Sequence, residues 1–321
     1  MTIERARKQL LAKPWGVVDL GPWAEVDDRA SPIGEIRYDR PEGSAATPAL
    51  LLKLLFTDQP LSVQVHPDDV YARSIGQPNG KTESWYVLKA DHRAKVALGL
   101  DCRISPQQLR RSIDDGSITQ RIVWQAVAAG DSLFVPAGTI HAIGAGLVIA
   151  EVQQRSDTTF RLFDHGRQRE LHVDEGVAAA AAGPAAAQQR KERLSNERTL
   201  LVACPHFIFE RVILEADTTW AMAADRETWL LVIGGTARAA SFDIETGDAI
   251  FAEADRVEIR TGEIGLVALI AYGSARPLQN FLQRVLEPAT ESKRQPPIIG
   301  LTAANLSLVQ LQVHNHIGTT P

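Results

Sequence analysis

The sequence predicts a mainly β protein of two barrel or jelly-roll domains, with one helical insertion and a helical connector between the domains. Three observations predict it. Apolar strand-like runs separated by Gly, Pro and Asp turns recur from Pro48 through Leu171. Similar runs return from Leu200 to Arg284, in FIFERVILEA, TWLLVIGGTARAASF and GLVALIAYG. Between the two lies a stretch from about Asp174 to Arg198 that is rich in Ala, Gln, Arg and Lys, good helix formers. A chain of 321 residues with 45% hydrophobic content can bury the cores of two compact domains.

The elements follow in order. The charged start, MTIERARKQLLAKPWG, is expected to be helical and lacks the apolar run of a secretory signal. Within the first β region, Ser105 can cap a helix, Pro106 suits its first position and Gln108 completes a capping box before LRRSI, which places helices over roughly 105 to 122. The connector, near 174–198, has helix formers on both sides of a break at Gly183-Pro184. This divides the chain into residues 1–198 with an N-terminal extension, a second β domain at 199–285, and a tail at 286–321. The apolar LSLVQLQV of the tail reads as an arm that pairs with a sheet edge.

Charge and composition exclude several partners. The 34 basic residues are scattered and the formal net charge is −5, so no basic stripe exists to attract a nucleic-acid backbone. No run approaches eighteen apolar residues, and VAAAAAGPAAA is short and broken, so no membrane span is expected. Two cysteines, Cys102 and Cys204, make no disulfide framework, which fits a reducing cytoplasm.

Chemistry concentrates in four segments. In LSVQVHPDD, alternation sends Leu61, Val63 and Val65 to one face and Ser62, Gln64 and His66 to the other, so Gln64 and His66 leave the strand in one direction and can converge on a cation. In GKTESWYVLKA, Lys81 and Glu83 stand at the entrance of an apolar strand, in register with Trp85 and Val87. GDSLFVPAGTIH is a β-turn-β unit shaped by Pro136 and Gly138, with His141 pointing back from the second strand. EVQQRSDTTFRLFDHGR adds Glu151 and Arg161, which share parity across a bend.

GDSLFVPAGTIH resembles the second signature motif of the cupin superfamily, and Gln64-x-His66 followed by Glu83 resembles the first with a longer loop. Two nitrogens and two oxygens suit a borderline divalent ion, zinc first. Taken with KPWG, the segments resemble type I mannose-6-phosphate isomerases (phosphomannose isomerases), especially their short bacterial form, over roughly residues 10 to 175. The resemblance implies two cupin-like domains, the second, at 199–285, degenerate. It also implies one zinc per chain, held by Gln64, His66, Glu83 and His141. The family's active-site Arg, upstream Glu, Lys and strand Ser fall on Arg161, Glu151, Lys81 and Ser62. Beyond residue 200 the similarity is one of pattern only. The 286–321 tail is longer than in the short form, which leaves monomer and homodimer both open.

The activity implied is aldose-ketose isomerisation of a small phosphorylated sugar, mannose 6-phosphate to fructose 6-phosphate, through a cis-enediol(ate). Zinc would polarise the carbonyl, and a placed acid/base would move a proton between C1 and C2. Glu151 is the leading proton carrier and Lys81 the rival. Arg161, Lys81 and Ser62 are the substrate-binding candidates, for phosphate or enediolate. The alternatives are a non-catalytic sugar-binding regulatory cupin that retains the metal site and, third, an iron dioxygenase. A metal site alone serves either; a proton-transfer group beside it is needed only by an enzyme.

Overall fold

The computed structural model describes residues 2–26, 31–44 and 46–286, apart from the side chains of residues 254 and 255. Half of the described residues are in strands and 9% in helices. In chain order the first strands are β1 (Thr2–Arg5), β2 (Arg7–Val17), β3 (Ile33–Asp39), β4 (Leu50–Thr57) and β5 (Val63–Val65). Helix α1 (Asp69–Ser74), β6 (Glu83–Ala90), β7 (Lys95–Leu100), α2 (Pro106–Asp114) and α3 (Ile118–Arg121) come next. Then follow β8 (Ile122–Ala126), β9 (Ser132–Val135), β10 (His141–Ile143), β11 (Leu147–Gln154), β12 (Phe160–Phe163) and α4 (Val173–Ala179). The last strands are β13 (Glu192–Arg193), β14 (Arg198–Ala203), β15 (Ile208–Leu214), β16 (Thr219–Ala239), β17 (Phe242–Glu245), β18 (Ala249–Tyr272) and β19 (Leu282–Val285).

One sheet runs β2-β3-β4-β11-β6-β9 and a second runs β12-β5-β10-β7-β8. The period-two alternation of strands gives the first sheet two different faces. Ile36, Tyr38, Leu52, Leu54, Tyr86, Leu88, Ala150 and Val152 point one way, into a core completed by Phe207, Phe209, Trp229 and Phe251. Leu55, Trp85, Val87, Leu133, Val135 and Ile149 point the other way and meet Val96, Leu98 and Ile143 of the second sheet. β4 is therefore buried on both faces, which is why LLLKLLFT reads as an unbroken apolar run around one lysine. Each such fully buried aliphatic side chain contributes about 1.5–3 kcal/mol. The outer face of the second sheet is covered by the insertion: Leu109, Ile113 and Ile118 pack on Val63, Val65, Ala97 and Ala142. The capping box is formed, with Ser105 Oγ accepting from Gln108 N and Gln108 Oε1 from Ser105 N.

The third sheet runs β13-β14-β15-β18-β16-β17, with β1 on β18 and β19 on β16. β18 curls around β16, so that Thr228 is paired with both Ala252 and Tyr272. Inside it Arg198 donates twice to Glu210, both at 2.8 Å, and Tyr272 donates to the same carboxylate at 2.6 Å.

Two expectations are corrected. The N-terminus is not helical: β1 pairs with β18 and β2 with β3, so long-range ladders override local helix propensity. The connector is helical only over α4. Beyond it the chain runs extended along the barrel, with Ile104 N donating to Ala182 O, Leu100 N to Gly183 O and Gly99 bridged to Pro184. Further on, the Gln188 side chain pairs with both backbone groups of Phe134. Backbone groups that a helix would have satisfied internally are used here to bind the end of β7 and the residues that follow it. The LSLVQLQV arm lies outside the described residues.

Candidate metal centre and active site

The inward faces of the two facing sheets bring the four candidate ligands together. On β5, Val63 and Val65 are buried under the insertion, which turns Gln64 to the interior. β5 sits between β10 and β12, with Gln64 directly opposite both His141 and Arg161. Glu83 opens β6 and is opposite Gln153 and Val135. Gly138, with φ +83, makes the turn before His141, and its N–H donates to the His66 carbonyl at 2.8 Å, which ties one histidine's strand to the other's turn.

His66 Nε2 lies 3.4 Å from Glu83 Oε2, and His141 Nε2 lies 3.4 Å from Glu83 Oε1. Among the described residues these three form the one His/Cys/Asp/Glu group compact enough to share an ion, with ligand atoms within 4.8 Å of one another. Each histidine donates its other ring nitrogen to a backbone carbonyl, His66 Nδ1 to Thr158 at 3.0 Å and His141 Nδ1 to Thr139 at 2.8 Å. Those bonds select the tautomer whose Nε2 lone pair faces the centre. Gln64 Nε2 is 3.2 Å from His141 Nε2, and Ser62 Oγ donates to Gln64 Oε1 at 3.1 Å. Turning the amide over brings its oxygen to the centre and leaves Ser62 as the acceptor.

Lys81 Nζ stands 3.0 Å from His66 Nε2 and 3.2 Å from Glu83 Oε2. Even so, Glu83 Oε2 is a buried oxygen that accepts no aligned hydrogen bond. Burial lowers the His66 pKa to about 3, helped by the Lys81 charge, and burial lowers that of His141 as well. Burial opposes ionisation of Glu83, but Lys81 and then His66 outweigh it and hold the carboxyl well below its usual range. Two neutral imidazoles, one carboxylate and an amide oxygen, with an orphaned acceptor among them, fit a divalent cation of borderline softness.

Glu151 lies beside this group on β11, opposite Trp85. Its Oε2 accepts from Trp85 Nε1 at 3.2 Å and its Oε1 is 3.6 Å from Lys53 Nζ. Burial, and then the charge of Glu83, raise its pKa to about 7, against the pull of Lys53 and Lys81. Lys53 was missed by sequence reasoning, although a lysine inside a strand as apolar as LLLKLLFT is itself a signal. The charge partner of Glu151 is thus Lys53 across the β4–β11 ladder. Arg161 is turned to the loop after β12, where Nη1 donates to the Glu170 carbonyl at 2.5 Å while Nε is buried without a partner.

No family model matches the chain. It is 42% identical over 166 residues to a mannose-6-phosphate isomerase of Streptococcus mutans, covering 49% of this chain and 52% of the relative. It is 40% identical over 135 residues to the mannose-6-phosphate isomerase ManA of Bacillus subtilis, covering 40% and 42%. The chain spans about half the length of the curated relatives it matches. The crystal structure of the mannose 6-phosphate isomerase from Bacillus subtilis superposes with a TM-score of 0.71 at 24% identity, over 84% of this chain and 99% of that one. A zinc-bound mannose 6-phosphate isomerase superposes with a TM-score of 0.65 at 14% identity, over 85% and 100%. The fold of this chain is the fold of those enzymes.

Proposed function

We propose that the protein is a zinc-dependent mannose-6-phosphate isomerase, interconverting mannose 6-phosphate and fructose 6-phosphate through a cis-enediol(ate). One observation carries this reading: a buried His66, Glu83 and His141 cluster, with the half-buried Gln64 beside it, shares its barrel interior with the Lys53–Glu151 pair. Sequence similarity to curated mannose-6-phosphate isomerases supports it. His66, His141, Glu83 and Gln64 would hold the zinc, which when bound supplies Lewis acidity to polarise the substrate carbonyl.

The chain's own residues divide the remaining work. Glu151 carries the proton between C1 and C2, and a carboxyl poised near pH 7 can both take and return it under neutral conditions. Trp85 and Lys53 hold its two oxygens apart and aimed. Burial disfavours a charge on Lys81, but Glu83 and Glu151 more than offset this and raise its pKa. A lysine that keeps its proton is a donor, so Lys81 joins Ser62 and Arg161 in binding substrate oxygens. The guanidinium nitrogens of Arg161 not engaged by Glu170 are available to phosphate or enediolate. The catalytic domain is assigned to 1–198 and a supporting degenerate cupin-like domain to 199–285. No described helix is long and apolar enough to cross a membrane, and the reading places the enzyme in the cytoplasm.

Metal analysis joined to a coupled assay on both sugar phosphates tests this. The expected result is about one zinc per chain, isomerisation in both directions, and loss of activity but not of fold on chelation. His141→Ala should lose zinc and activity together. Iron with oxygen consumption and no isomerisation, or zinc binding without turnover, would overturn the assignment.

A further inference from the structure

β11 ends in two adjacent glutamines, and alternation sends them to opposite faces of the sheet. Gln153 is fully buried and donates through Nε2 to the carbonyls of Gln154 at 2.9 Å and Ser156 at 2.7 Å. Two carbonyl acceptors fix which end of the amide is nitrogen. The turn they gather, in which Ser156 Oγ also accepts from Thr158 N at 3.3 Å, presents the Thr158 carbonyl to His66 Nδ1. Gln154 acts on another strand. Its Oε1 accepts from Thr82 N at 2.9 Å, and its own N–H donates to Thr82 O at 3.0 Å. Its Nε2 donates at 2.9 Å to Asp69 Oδ1, which also accepts from Gly80 N. Thr82 separates Lys81 from Glu83, and Asp69 follows His66 by three residues.

We propose that Gln153 and Gln154 are positioning residues of the metal centre. Gln153 sets the ring orientation of His66 through the Thr158 carbonyl, and Gln154 sets the backbone from which Glu83 and Lys81 project. The inference rests on reading His66, Glu83 and His141 as metal ligands. Groups that orient ligands in this way are worth about 10–100-fold in metal affinity.

The test measures zinc dissociation constants by competition with a chromophoric chelator. The proteins are the parent, Gln153→Met, Gln153→Glu, Gln154→Met and the control Gln188→Met. Gln153→Glu keeps the shape but loses the donor, and so serves if the methionine variant fails to fold. The exposed Gln188 also makes two side-chain bonds to backbone, to both groups of Phe134 at 2.7 and 3.1 Å, on β9, a strand that carries none of the candidate ligands. Zinc binding should weaken about 10–100-fold in the Gln153 and Gln154 variants and hold within about twofold in the control. Unchanged affinity in folded Gln153→Glu and Gln154→Met, or equal loss in the control, overturns this inference and leaves the metal reading standing. A parent that binds no zinc overturns the metal reading itself.

Discussion

Glu151 and Arg161 are the two residues where a single substitution says most about chemistry. The Glu151 carboxyl holds its proton to about pH 7, above its ordinary 4.5, because burial and Glu83 disfavour the charge. The folded state therefore binds more protons than the unfolded one between those values, and stability falls as pH rises through that window. At ~1.4 kcal/mol per unit the whole gap is worth roughly 3 kcal/mol. In metal-free protein, Glu151→Gln should thus gain stability relative to the parent as pH is raised from 5 to 8, read as a growing difference in melting temperature. A difference that stays flat would place the carboxyl's titration outside that range. For Arg161→Lys the charge stays but the planar fork is lost. We expect retained zinc and fold and about a 100-fold fall in kcat, the scale seen when one aimed donor is removed from a transition state. A rise in KM alone would instead make it a uniform phosphate anchor. Steady-state kinetics and zinc content on the same samples separate the two.

At the scale of elements, the extended connector is the feature most exposed to a small change. Gly99 has φ +71, and a Cβ there would stand 2.2 Å from Ala185 N, against backbone. Gly99→Ala should cost at least about 1–3 kcal/mol from the backbone conformation, with a further loss as the connector is pushed off β7. The readout is a lower melting temperature with zinc stoichiometry unchanged, since neither Gly99 nor Ala185 is one of the candidate ligands. A melting temperature equal to the parent's would mean that the connector is not held at Gly99. The same segment shows why helix propensity misled: Ala, Gln and Lys favour a helix locally, but the irregular end of β7, at Gly99 and Leu100, and the β9 edge offer the connector's backbone and Gln188 partners that a helix would have forgone.

The whole molecule is two facing sheets whose outer wall leans on a third, and the candidate metal ligands all come from the first pair. Glu210, buried and bound by Arg198 and Tyr272, belongs to the third sheet. Glu210→Ala leaves the Arg198 charge buried and unpaired, which costs about 3–5 kcal/mol. The fold should melt earlier by that measure, read by denaturant titration, while the zinc affinity of the protein that remains folded is unchanged. A direct loss of affinity would draw the third sheet into the site. Tyr38 and Phe251 sit in the core that joins the sheets, and Trp85 in the one that faces the ligands, so the two sides of β4, β6 and β11 separate support from chemistry.

What the sequence determined by itself was whatever depends on neighbours within a few residues. Q-x-H puts two candidate ligands on one strand face because side chains alternate. P-A-G-T-x-H turns back because Gly138 alone readily takes a positive φ, and S-P-x-Q starts a helix because its donors cap one another. The tertiary structure decided whatever depends on a partner far along the chain. It made strands of the charged N-terminus by offering β3 and β18 as ladders. It paired Glu151 with Lys53, and turned Arg161 to Glu170. The same low-polarity interior that raises Glu151 and lowers His66 is built only when both sheets close, because a charge is disfavoured by the surroundings it is buried in and not by the residues beside it in sequence.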